Sequence, residues 1–189
     1  MTTLALLAAA LLPIPLSPGT WWEYRETYTE RIGALDSIQD DTTRFAVGGR
    51  VAAPFIHQSG GADPVSGPVR WGDDWISLAP WTGEERLPLP LEPGRAGPPP
   101  APGLEAWTVE ERQSVTVPAG TFEALRCALR TRRLHSVLWI APSVGVVREQ
   151  HGEPGRRPEI ERVLLRWSGA SRPASSETEG QPEAGPRKE

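Results

Sequence analysis

The chain has a single cysteine, Cys127, a single lysine, Lys188, and no asparagine. One thiol excludes an intramolecular disulfide, a CxxC redox pair and a cysteine-based zinc cluster. A lone lysine at the penultimate position, in a polar tail, excludes a lysine nucleophile set in a core. The other basic residues are all arginine, a usage that fits GC-rich coding, and the formal charge is −4. That balance gives no general attraction for a polyanion, so nucleic acid is not an expected partner. Long apolar runs are scarce too. The run Leu4 to Leu12 has the length of a signal-peptide core and is too short to cross a bilayer, so no transmembrane helix is expected. Residues 1–16 are therefore read as a signal peptide and the product as exported, periplasmic or extracellular. No cysteine follows the run, which argues against an ordinary lipoprotein anchor.

What is abundant points to strands and turns. The sequence holds 21 Pro, 19 Gly and eight Trp, and no amphipathic helix of ordinary length is visible. In Thr20 to Ile32, Trp22, Tyr24 and Tyr28 fall at even spacing and share one face of a strand. Further strands are expected over Thr42 to Val47, Val51 to Gln58 and Trp71 to Leu78. A five-strand meander follows over Leu104 to Val117, Phe122 to Arg132, Leu134 to Ile140, Val144 to His151 and Ile160 to Trp167. In the last of these, Val163, Leu165 and Trp167 are assigned to the buried face and Arg162, Leu164 and Arg166 to the wetter one. Residues 87–103 are proline-rich and read as a long exposed loop, and residues 169–189 lack large apolar side chains and read as a disordered tail. The expectation is a mainly β domain over 17–168, built on a single antiparallel, strongly curved sheet or half-barrel.

Three segments carry a resemblance. Pro15-Leu16-Ser17-Pro18-Gly19-Thr20-Trp21-Trp22-Glu23-Tyr24, Val117-Pro118-Ala119-Gly120-Thr121-Phe122-Glu123-Ala124-Leu125 and Trp139-Ile140-Ala141-Pro142-Ser143-Val144-Gly145-Val146-Val147 occur in this order. They resemble the P-L-x-x-G-x-x-W-x-Y, V-P-A-G-T-F-x-A-L and W-x-A-P-x-V-G-x-V elements of a group of bacterial envelope proteins. The resemblance is good over 104–168 and poor over 33–103. It implies a curved sheet similar in architecture to periplasmic lipoprotein carriers. Trp22, Tyr24, Pro118, Gly120, Phe122, Trp139, Pro142 and Gly145 are its structural residues. Pro118 to Gly120 and Pro142 to Gly145 read as turns that end one strand and aim the next.

No catalytic signature accompanies these turns. His57, His135 and His151 lie on separate strands without metal-ligand spacing, and Asp40-Asp41, Asp73-Asp74 and Glu84-Glu85 read as solvated turn residues. No metal, cofactor or enzymatic activity is expected. Cys127, between Leu125 and Leu129, reads as a small buried hydrophobe. Most of the tryptophans belong to a core. Trp71, Trp75 and Trp81, in a loop-rich region, are the candidate ligand-binding residues, for a lipid or other apolar or amphipathic ligand carried by the concave face. The alternative is a structural or protein-interaction module of the cell envelope, with a filled core, no small-molecule pocket and another envelope protein as partner.

Overall fold

The computed structural model describes residues 14–32, 35–50, 53–60, 65–79, 81, 86–99, 105–131 and 134–168. The apolar run Leu4 to Leu12 and residues 169–189 lie outside them. Eleven strands form one antiparallel sheet nearly closed into a barrel, with no helix among the described residues. In chain order they are β1 Trp21–Ile32, β2 Leu35–Arg50, β3 Ala53–Ser59, β4 Ser66–Trp71, β5 Trp75–Leu78, β6 Leu87–Pro88, β7 Thr108–Val117, β8 Gly120–Arg130, β9 His135–Ala141, β10 Gly145–Gly152 and β11 Ile160–Trp167. Their order across the sheet is β6-β5-β4-β3-β2-β1-β11-β10-β9-β8-β7. Two meanders thus meet where the first strand pairs with the last.

Side-chain alternation fixes which face of β1 turns inward. Trp22, Tyr24 and Glu26 are buried, while Arg25 between them is exposed. Curvature is helped by irregularities in three ladders, at Glu23/Tyr24 against β11, Val146/Arg148 against β9 and Val109/Arg112 against β8. Each extra residue bends its strand and increases the local twist. The core is aromatic at its centre. Trp81 stands 5.2 Å from Trp22, 6.4 Å from Tyr24 and 4.9 Å from Phe45, ring centre to ring centre. The Trp22 and Tyr24 contacts are edge-to-face and the Phe45 contact is tilted by 30°, and aromatic pairs add about 0.5–1.5 kcal/mol each beyond the area they bury.

The structure revises four sequence expectations. The strand expected over Trp71 to Leu78 is two strands, because Gly72 turns the chain and its N–H donates to the Trp75 carbonyl at 2.9 Å. A Cβ at Gly72 would collide with the Trp75 indole. β2 runs far beyond Thr42 to Val47, since it is partnered by β1 along Leu35 to Ala46. The proline-rich segment is an exposed loop only in part: Leu87 and Pro88 form β6 and are buried, as is Gly97. Gly97 N–H donates to the Trp107 carbonyl, and Gly94 N–H to the Val109 carbonyl, both at 2.8 Å. A Cβ on Gly97 would collide with the Arg86 carbonyl. The segment is thus a strap across the gap between β6 and β7, and prolines suit it because a strap of single bridges needs few donors.

The fourth revision concerns Arg162 and Leu164 of β11, which are buried, while Arg166, beyond the irregularity at Leu165, is exposed as expected. Arg162 is 9% exposed and Leu164 0%, whereas Val163, Leu165 and Trp167 are half-buried. Arginine occupies the inner face because two carboxylates wait for it there.

Candidate functional site

The three motifs meet at one split in the sheet. β10 pairs with β11 only from Arg148 to His151, so the start of β10 has no ladder partner on that side. Side chains of β1 replace it. Trp22 Nε1–H donates to the Val144 carbonyl, and the Tyr24 hydroxyl donates to the Val146 carbonyl at 2.7 Å. Gly145 lies between these two acceptors with φ 103°, where a Cβ would stand 3.1 Å from Trp22 Nε1. Both the left-handed backbone and the close approach require glycine. On the other lip of the split, Ala119 N–H donates to the Leu164 carbonyl at 3.1 Å, and the Phe122 ring meets Trp167 edge-on at 5.4 Å. Pro118 and Pro142 lie exposed in the two turns, and Gly120 takes φ 136°. Trp139 is buried beneath Arg126, 5.7 Å from its ring centre, and Arg148, at 5.0 Å. Buried carbonyls left without donors cost about 1–3 kcal/mol each, so the junction closes the split rather than presenting a reactive group.

Below this apolar end the interior is charged. Arg162 donates through Nη2 to Glu26 Oε1 at 2.6 Å and through Nη1 to Glu149 Oε2 at 2.9 Å. Glu26 and Glu149 are both 0% exposed. The Thr43 hydroxyl donates to the second Glu26 oxygen, and the second Glu149 oxygen meets His151 Nε2. His151 Nδ1 lies 2.8 Å from the Ser136 hydroxyl oxygen, and the Arg162 guanidinium stands 5.4 Å from the Phe45 ring centre. The layer therefore crosses β9, β10, β11, β1 and β2 as one network. Isolated, these charges would be expensive to bury, and together they offset one another, with Arg162 Nε the one buried donor of the layer that has no hydrogen-bond partner among the described residues. Burial works to raise the Glu149 carboxyl, but Arg162 and the His151 hydrogen bond outweigh it and hold it below the usual carboxylate range. Burial, reinforced by the nearby Glu149 charge, pushes the Tyr24 phenol well up.

Next to the charged layer, and linked to it by the hydrogen bond between Tyr28 and Glu26, is a groove of about 850 Å3, lined among others by Tyr28, Arg31, Asp36, Asp41, Arg156 and Glu159. Burial and a hydrogen bond to Glu26 raise the Tyr28 phenol to about 12, so it stays protonated at neutral pH. The groove is a polar mouth with charges of both signs.

The three tryptophans expected to bind ligand are not brought together here. Trp81 is 2% exposed in the aromatic centre. Trp75 is half-buried under Arg86, whose guanidinium carbon is 4.3 Å from the ring centre, and Trp71 lies half-buried against the core. None of them lines the groove. The residues that sequence reasoning missed are Glu26, Thr43, Ser136, Glu149, His151 and Arg162. Glu26 had a signal, because it continues the even series Trp22, Tyr24 toward Tyr28 and so had to point inward. Arg162 had none, since its burial depends on a partner 136 residues away.

No protein-family model matches the chain, and no curated protein matches it. Among solved structures, it is similar to a lipoprotein candidate from Parabacteroides distasonis, at 15% identity over 82% of this chain and 98% of that one, with a TM-score of 0.46. An exported-protein candidate with a YmcC-like fold from Bacteroides fragilis aligns at 13% identity over 82% and 98%, with a TM-score of 0.49. A DUF1329 family protein from Desulfovibrio piger aligns at 10% identity over 88% and 89%, with a TM-score of 0.28. At these scores the fold rests on this chain's own strand order.

Proposed function

We propose that the chain is an exported, non-enzymatic protein-interaction module of the cell envelope, with the barrel as a rigid mount and its mouth as the working end. The observation that carries this reading is the filled interior: Trp22, Tyr24, Phe45 and Trp81 occupy one end and the Glu26–Arg162–Glu149 network crosses the middle, all buried. An acyl chain on the concave side would have to displace fully buried rings or separate a buried ion triad. Export rests on the Leu4 to Leu12 run. The non-enzymatic reading rests on the two buried carboxylates, Glu26 and Glu149, which are engaged by Arg162 and lie outside the groove, whose own carboxylates are Glu30, Asp36, Asp41 and Glu159.

A second reading follows from the groove itself, whose volume of about 850 Å3 falls within the range of small-molecule sites. An amphipathic ligand would place its polar head there, beside Tyr28 and the arginines. Native mass spectrometry of the full chain, followed by denaturation and solvent extraction, separates the two. The interaction reading expects the bare polypeptide mass, and a reproducible small-molecule adduct released on unfolding would overturn it.

A further inference from the structure

The mouth carries an arm with an open edge. β2 is sixteen residues long. β1 pairs with it over Leu35 to Ala46, but β3 covers only Arg44 to Arg50. At Thr42 the edge ends: Asp41 Oδ1 accepts its N–H at 2.6 Å, and Gly60 lies so near the Thr42 carbonyl that a Cβ there would collide. Leu35 to Asp41 therefore has β1 on one side and no strand on the other among the described residues. Every second residue of this stretch turns its N–H and C=O to solvent. On the far side of β1, β11 reaches only Tyr28, with one further bond from Thr29 N–H to the Glu159 carbonyl at 2.8 Å. Past that point the arm is two-stranded, a marginal structure in water that a third strand would stabilise.

The chemistry of the edge selects the third strand. Pairing with Thr27 and Thr29 places Asp40 and Ile38 side by side on the outward face, the Asp40 carboxylate accepting from the Thr27 hydroxyl at 2.7 Å and Ile38 53% exposed, and Asp36, opposite Arg31, continues the row to the rim of the groove. Leu35, at the tip, is 76% exposed. The row thus reads acid, apolar, acid. A second copy paired antiparallel about Ile38 would set Asp36 against Asp40 twice, and like charges directly opposite are destabilising. A basic strand meets the same row with two opposite-charge pairs and an apolar contact between them.

We propose that Leu35 to Asp41 of β2 is a strand-addition site for an extended segment of a partner protein that alternates basic and apolar residues. Main-chain ladder bonds supply the attachment, and Asp36, Ile38 and Asp40 supply the choice of partner. This rests on the interaction reading above.

The test titrates full-length chain with a capped seven-residue peptide alternating Lys and Val, beside a Glu-Val peptide and a Lys-Val peptide with N-methylated backbone on its pairing edge. Anisotropy reads affinity and hydrogen exchange reads the site. The Lys-Val peptide should bind and slow exchange at Leu35 to Asp41, and the two control peptides should not. Asp36→Asn/Asp40→Asn, both solvent-exposed, should weaken binding by about tenfold at low salt and flatten its salt dependence. Absence of binding, equal binding of the N-methylated peptide, or protection elsewhere than the β2 edge would overturn the strand-addition site. A copurified ligand in the mass spectrum would instead overturn the interaction reading, whatever the edge does.

Discussion

One strand passes through two environments. At its start, β1 turns Trp22 and Tyr24 into an aromatic centre, and four residues on it turns Glu26 and Tyr28 toward charge and open groove. Both ends of the interior are equally buried as far as Glu26, yet they are held by different physics. The aromatic end is stabilised by area and shape and tolerates small losses. The charged end is held by mutual satisfaction, so the loss of one member leaves the others buried without partners.

That contrast orders the expected effects of substitution. Arg162→Met should be among the most damaging, destabilising by about 3–5 kcal/mol in urea denaturation, because two buried carboxylates lose their cation. Replacing all three charges, as Glu26→Leu/Glu149→Leu/Arg162→Met, should recover much of that loss, which a simple cavity effect would not allow. Trp81→Ala should cost about 3–5 kcal/mol through the void it leaves, with no such rescue. Tyr24→Phe should cost about 1–3 kcal/mol, because the Val146 carbonyl loses its donor.

Acid should act on the charged end first. The folded Glu149 carboxyl binds its proton less readily than the unfolded one, so its stabilising contribution is complete above the ordinary value of 4.5 and is lost as pH falls below it. Denaturation curves taken from pH 7 downward should therefore show falling stability below that value, with less of a fall in the triple apolar variant. Cys127, whose thiol burial pushes up to about 12, should react with a thiol reagent at pH 8 only on unfolding. The smallest effect belongs to the arm, where Asp36→Asn and Asp40→Asn should each change stability by less than about 0.5 kcal/mol.

The sequence made the C-terminal meander legible because its turns carry Pro and Gly at fixed offsets and its strands are rich in apolar and β-branched residues, although which face they bury was not legible in β11. Each of the five expected strands is present within a few residues of its bounds. The N-terminal half was less readable. The Gly72 turn inside Trp71 to Leu78 looked like strand interior, and the length of β2 was hidden because its outer half is exposed on both faces and so shows no alternation of polar and apolar residues. The candidate site was mostly illegible, since alternation says which residues share a face but not that the inward face will accept charge. Arg162 reads as surface until Glu26 and Glu149 are seen beside it. The Trp71, Trp75 and Trp81 set was chosen for its loop-rich setting, and Trp81 entered the core instead.

Native-state hydrogen exchange along β1 and β2 of the free chain tests the account most directly. A rigid mount with a filled interior predicts that the amides from Trp22 to Glu26 exchange only on global unfolding, while the open-edge amides of Leu35 to Asp41 exchange orders of magnitude faster. Rapid exchange around Tyr24 and Glu26 would mean that the interior opens readily enough to admit a ligand, and would contradict it.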